Sequence, residues 1–267
     1  MTDIFSQTFK LYTDAPQTLA HRVAIVTGAT RGIGLEITLV LSSLGCSVVG
    51  TYLTNTAAAE RLTEILPSFV GVSADICTPE SSVAKIIDAL AGRNVDILVS
   101  NAGVSTLASL SAPDFAESLL STMTANTLFP ALLVSALLPQ FSRSGTGRII
   151  IISSEGSHLG RPNTTAYSAS KAALESMTRT WAVELGQKYG GMTVNALALG
   201  MIHTDLYRKL PQARQEFWEE RAKQNPAAPR LGVPSDVAGV VKFLVSKEAS
   251  WVTGQVLAVG GGNLMIV

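Results

Sequence analysis

The sequence predicts an α/β fold: a doubly wound parallel sheet of about seven strands with helices on both faces. Three observations carry this. Short apolar runs rich in β-branched residues recur at 22–27, 47–51, 69–73, 95–100, 147–152, 192–196 and 255–259. Within them the apolar residues do not alternate with polar ones, as in Ile149-Ile150-Ile151-Ile152, which is the pattern of a strand buried on both faces. Between the runs lie longer stretches of helical pattern, at 32–44, 57–66, 79–91, 114–141, 166–189 and 235–245. No stretch has the composition of an interdomain linker and no repeat is found, so one domain over 1–267 is expected, with an N-terminal extension at 1–20.

The first strand runs straight into Thr27-Gly28-Ala29-Thr30-Arg31-Gly32-Ile33-Gly34, where a helix begins. Glycines there permit a tight turn, close approach of a pyrophosphate, and close helix–strand packing. The helix N-terminus adds free N–H groups and a positive dipole end. Beyond the second strand comes Tyr52-Leu53-Thr54-Asn55, with no acid until Glu60. A fold that binds NAD wants a carboxylate ~20 residues past the glycines for the ribose hydroxyls. Arg31, in the loop, is either a partner for the 2′-phosphate of NADP or a solvated surface charge. Asp75-Ile76 follows the third strand and Asn101-Ala102-Gly103 the fourth. Taken alone, these are strand-end turn residues.

Asn126 lies within the long helical stretch 114–141, and Ser153-Ser154 follows the fifth strand. Tyr167-Ser168-Ala169-Ser170-Lys171 opens the next helix, which puts Tyr167 and Lys171 on one face. A phenol of ordinary pKa ~10 is a poor acid–base group at neutrality. A neighbouring ammonium is expected to lower that value, leaving Tyr167 able to donate a proton to a nascent alkoxide. A serine hydroxyl behind the strand can hold the carbonyl. Strand alternation favours Ser154 for this, with Ser153 the alternative. After the sixth strand, residues 200–232 form an insert with a charged helical centre at 215–223, where a substrate lid would sit.

Composition narrows the function classes. Hydrophobic residues make up 47% and charged residues 15%, with 20 basic against 20 acidic side chains. Such a chain can build a large core, and its balance points to neither nucleic acid nor an anionic membrane. No apolar run reaches the ~18 residues of a membrane span. The start lacks the apolar core of a signal peptide, and Met265-Ile266-Val267 is no peroxisomal signal. Cys46 and Cys77 have no metal-ligand spacing and are expected as buried thiols in a reducing, cytosolic compartment. His21, His158 and His203 are scattered, so no metal site is expected. His158 and His203 are solvated loop residues or touch substrate. Phe217 and Trp218 either line a pocket or pack the lid.

The Gly-x-x-x-Gly-x-Gly spacing, Asp75-Ile76, Asn101-Ala102-Gly103 and the Ser154, Tyr167 and Lys171 spacing together resemble the short-chain dehydrogenase/reductase family, over residues 22–262. Arg230-Leu231-Gly232-Val233-Pro234 and Val252-Thr253-Gly254-Gln255-Val256 look most like its 3-oxoacyl-carrier-protein reductase branch. The resemblance implies a Rossmann-like domain that binds NADP through Gly28, Thr30, Arg31, Gly32, Ile33, Gly34 and Thr51. Asp75 and Ile76 would meet the adenine, and Asn101, Ala102 and Gly103 would complete the cleft. Tyr167 and Lys171 would hold the ribose, and Ile202 and Thr204 the nicotinamide edge. It makes Asn126, Ser154, Tyr167 and Lys171 the catalytic set, with Ser154 orienting a ketone, Tyr167 as acid, Lys171 tuning it, and Asn126 holding a relay water. NADPH-dependent reduction of a ketone or β-keto carbonyl is the expected activity. Oxidation of an alcohol by the same residues, or a non-redox use of the fold, are the alternatives. The family's two long helices usually pair across subunits, implying a homotetramer or homodimer. Two departures stand out: Leu199 replaces the usual proline before Gly200, and Gly260 replaces a common aspartate.

Overall fold

In the computed structural model, which describes residues 18–266, seven strands form one parallel sheet. They are β1 (Val23–Val26), β2 (Ser47–Tyr52), β3 (Phe69–Ser73), β4 (Ile97–Ser100), β5 (Arg148–Ser154), β6 (Thr193–Leu199) and β7 (Val256–Val259), in spatial order β3-β2-β1-β4-β5-β6-β7. The order reverses between β1 and β4. In an open α/β sheet a crevice forms at that point, beyond the carboxyl ends of the strands. The extension read over 1–20 lies, as far as residue 17, outside the described residues.

Nine α-helices are described: α1 (Gly32–Ser43), α2 (Thr56–Ile65), α3 (Pro79–Leu90), α4 (Phe115–Met123), α5 (Phe129–Leu137), α6 (Thr165–Leu185), α7 (Asp205–Arg208), α8 (Gln212–Ala222) and α9 (Pro234–Val245). Successive strand residues point to opposite faces, and here both faces are covered. Ile150 and Ile152 pack with Ile37 of α1 and Val241 of α9. Ile149 and Ile151 pack with Ile86 of α3, Phe129 of α5 and Leu174 of α6. That is why the runs show no polar alternation, and each such isoleucine contributes roughly 1.5–3 kcal/mol by burial.

The structure departs from the sequence reading in three places. The stretch 114–141 is not one regular helix: α4 passes through a π-helical turn, Thr124–Leu128, into α5. Asn126 explains it, because its side chain pairs with the backbone of Val104, and π-turns mark positions where a side chain is re-aimed in this way. Second, Phe115–Leu137 is long and apolar enough, at a hydropathy of 1.4, to cross a membrane by length and composition, contrary to expectation. Its Phe129, Leu133 and Leu137 are buried against the sheet, which accounts for the apolar composition. Third, Cys77 is exposed while Cys46 is buried. Cys77 sits in the turn after β3, where it lines a cleft instead of the core.

Candidate active site

A cleft of about 470 Å³ lies beyond the carboxyl ends of the strands, at the point of reversal. Its floor at one end is the glycine loop. Gly28 has φ +69°, and a Cβ at Gly34 would stand 2.1 Å from the Gly28 carbonyl oxygen, so α1 can meet β1 this closely only without a side chain there. The N-cap of α1, Arg31, makes no side-chain cap and the first turn holds no acid. The end of that helix is therefore left with unsatisfied N–H groups facing a cleft, an arrangement that fits a pyrophosphate.

Thr27 fastens this loop to its neighbour. Its Oγ1 accepts from the N–H groups of Asn101 and Ala102, both at 2.9 Å, while Asn101 Nδ2 donates to the Thr27 carbonyl at 2.8 Å. Thr51 Oγ1 accepts from the Gly28 N–H at 3.0 Å. The residues at and just after the end of β2 that line the cleft, Tyr52, Leu53, Thr54 and Asn55, include no carboxylate. Asn55 caps α2 and donates to the Thr30 carbonyl at 3.4 Å. Arg31 is exposed at the same end, and among the described residues its guanidinium has no partner. Asp75 lines the cleft with Ile76, and its Oδ1 accepts from the Cys77 N–H at 2.9 Å. Gly32, Ile33, Gly103, Ile202 and Thr204 also line it, Thr204 as the cap of α7.

At the other end stand Ser154, Tyr167 and Lys171. Strand β5 runs two residues further than its apolar run, so both serines lie on it and face opposite ways. Ser153 Oγ donates to Glu175 Oε1 at 2.6 Å and is thereby engaged. Ser154 is the serine that reaches Tyr167, and its Oγ also accepts from the Gly156 N–H at 3.1 Å. Burial raises the Tyr167 phenol above its ordinary value, against the pull of the Ser154 hydrogen bond and the Arg161 charge. This corrects the expectation that Lys171 lowers it. Lys171 Nζ stands 5.9 Å from the phenol ring centroid and donates to the Ile152 carbonyl at 2.8 Å. Its own pKa is held down to about 8 by burial, with Glu175 pulling it back up.

Asn126 is buried. Its Oδ1 accepts from the Val104 N–H at 2.8 Å, and its Nδ2 donates to the Val104 carbonyl at 2.9 Å and to Ser170 Oγ at 3.1 Å. A Cβ at Gly103 would lie 3.2 Å from Asn126 Oδ1 and 3.5 Å from Lys171 Nζ, so the bare glycine leaves open the space these two groups share.

Several residues of the site escaped sequence reasoning. Glu175 is buried one helical turn beyond Lys171, and it accepts from Ser153 and Ser157 and pairs with His158 Nε2 at 2.8 Å. The i, i+4 spacing from Lys171 was a usable signal. His158 is thus held against Glu175 rather than free in its loop, while His203 is exposed and packs on the Tyr207 ring, centroids 5.4 Å apart. Glu155, also buried, pairs with Arg161 and accepts from Asn263 Nδ2 at 2.6 Å. A Cβ at Gly260 would come within 3.4 Å of Glu155 Oε2 and 3.2 Å of Gly200 Cα. An aspartate there would set two carboxylates against each other, which gives a physical reason for glycine at this position. Leu199 both lines the cleft and packs in the core, so it belongs to pocket and fold alike. Trp218 is buried and lines the cleft, whereas Phe217 is exposed.

The family model described as enoyl-(acyl carrier protein) reductase matches residues 28–263. The short-chain dehydrogenase/reductase FrzI of Cladobotryum sp is 36% identical over 262 residues, covering 94% of this chain and 99% of the relative. The 3-oxoacyl-[acyl-carrier-protein] reductase FabG of Pseudomonas aeruginosa is 37% identical over 256 residues, covering 92% and 99%. Among solved structures, the angucycline C-6 ketoreductase LanV with bound NADP superposes with a TM-score of 0.80 at 30% identity, covering 92% of this chain and 97% of that one.

Proposed function

This chain belongs to the short-chain dehydrogenase/reductase family, and from that membership we propose that it is an NADPH-dependent reductase of a ketone or β-keto carbonyl. One observation carries the reading: a single cleft joins an open helix N-terminus and Arg31, without a partner among the described residues, at one end to Ser154, Tyr167 and Lys171 at the other. NADP fits this cleft, with Gly28 to Gly34 and the first turn of α1 against the pyrophosphate and Arg31 against the 2′-phosphate. NADPH, when bound, supplies the hydride. Ser154 holds the carbonyl oxygen and Tyr167 gives it a proton. Lys171 keeps an ammonium beside the ribose and the phenol, and Asn126 fixes the loop at Val104 that closes the same space. Residues 200–232 act as the lid over one domain.

The test is oxidation of NADPH against a panel of ketones, with NADH in parallel and Arg31→Ala beside the unaltered protein. A charge-assisted hydrogen bond contributes roughly 1.5–3 kcal/mol, so a preference for NADPH of about 10- to 100-fold is expected, and most of it should vanish in Arg31→Ala. Equal efficiency with both cofactors, or a ratio indifferent to Arg31, overturns the cofactor assignment. Failure to reduce any ketone while oxidising alcohols reverses the direction.

The exposed surface supports a subunit assembly. Leu120 and Leu128 on the α4–α5 stretch and Val183 on α6 are 69%, 43% and 85% exposed. Exposed apolar side chains on these elements are what a helix-to-helix subunit contact leaves bare in the single chain. A homotetramer is expected, working in the cytosol, where the exposed Cys77 thiol stays reduced. Light scattering at micromolar concentration should give four times the chain mass, and a monomeric mass refutes it.

A further inference from the structure

Beside the cleft, between the loop after β5 and lid helix α8, lies a second pocket of about 480 Å³. Arg161, Arg214 and Trp218 line both, so the two cavities share a wall. The second is apolar at Leu159, Pro162 and Phe217, carries three arginines with Arg221, and has no acid among the described residues of its lining. Helical spacing produces this face: positions 214, 217, 218 and 221 fall on one side of α8. The acids of α8 are engaged elsewhere. Glu216 accepts from Gln212, Glu219 from Tyr207, and Glu220 pairs with Lys223.

The three guanidiniums are not equivalent. Arg161 pairs with Glu155 and lies over the Trp218 ring, 4.6 Å from its centroid. Arg221 Nε donates to Asn263 Oδ1 at 2.9 Å, a neutral partner. Arg214 is half-buried, and among the described residues its guanidinium has no ion-pair or hydrogen-bond partner. A partly desolvated guanidinium is unfavourable unless an anion meets it, and Arg matches a planar or tetrahedral oxyanion with two parallel N–H groups.

We propose that this pocket is a subsite for an acidic substituent of the substrate, a carboxylate or phosphate on an apolar or aromatic body, with Arg214 binding the oxyanion. The proposal rests on the reading of the adjoining cleft as a ketone site. Ser154 and Tyr167 hold the carbonyl, the body packs along Trp218, and the acidic end passes Arg161 to reach Arg214. Specificity then lies in the lid, apart from the reacting atoms.

Two matched pairs of aryl ketones test it: para-acetylbenzoate against its methyl ester, and para-acetylphenyl phosphate against the corresponding methyl ether. The acidic member of at least one pair should show kcat/KM about tenfold or more above its neutral partner, carried in KM, and Arg214→Gln should bring that ratio near one. Comparing the two pairs tells carboxylate from phosphate. Neutral ketones reduced as well as acidic ones overturn the subsite but leave the reductase reading standing. Where no ketone is turned over, the reductase reading fails, and calorimetric titration of para-acetylbenzoate and para-acetylphenyl phosphate still decides the subsite. Weaker binding of either acid by about tenfold in Arg214→Gln supports it. Equal binding, with both proteins melting alike, overturns it.

Discussion

Replacing Tyr167 with phenylalanine should lower kcat by about 10²–10⁴-fold, the usual contribution of a positioned general acid, with little change in NADPH binding. The phenol is half-buried, and burial raises its pKa, so at neutral pH it keeps its proton. That suits a donor to a developing alkoxide. Ser154, beside the phenol, would hold the acceptor within its reach. Phenylalanine preserves the ring and its packing and deletes one hydroxyl, which costs about 1 kcal/mol of stability at most. The informative comparison is kcat beside a direct NADPH titration and a melting curve. A loss confined to kcat marks an interaction made in the transition state. Near wild-type turnover would mean that another group or a bound water donates the proton, and Tyr167 would lose the role of acid.

The core was legible because it is local. Ile149 to Ile152 carry their burial on both faces in their own composition, and the strand they form pairs with neighbours of the same kind. The reading stopped short at Ser153 and Ser154, which are strand by pairing with Ala198 and Leu199 rather than by propensity. The π-turn at Asn126 has a cause 22 residues away, at Val104, that no local pattern contains. Glu155 is harder still, since its partner Asn263 is 108 residues distant and the explanation of Gly260 passes through both. The arginine stripe of α8 shows in helical spacing, but the loop it faces does not. Cleft residues from the glycine loop to Thr204 were legible as motifs, while the groups that tune them, Glu175 and Arg161, are tertiary neighbours.

Lys171 gives the second large effect, in the pH profile. Lys171 is 5% exposed, and burial holds its pKa down to about 8, so its amine is charged below that pH and neutral above. If reduction needs the ammonium, kcat should be level below about pH 8 and fall about tenfold per unit beyond it, reaching roughly a hundredth near pH 10. The phenol cannot produce this limb, because Tyr167 is raised above an ordinary value of 10.0 and would place its own limb higher still. Unfolding is also separable. A lysine whose folded pKa lies below the ordinary 10.5 binds fewer protons folded than unfolded between about 8 and 10.5, so this group makes the fold more stable as pH rises through that window. Rate should therefore fall where this contribution to stability grows. Glu175 supplies the internal control: its carboxylate raises the Lys171 pKa, so Glu175→Gln should move the limb to lower pH. Lys171→Ala should lose turnover across the whole range and weaken NADPH binding as well. A profile flat to pH 10 in the unaltered enzyme, or a limb unmoved by Glu175→Gln, would show that the proton inventory of reduction does not pass through Lys171.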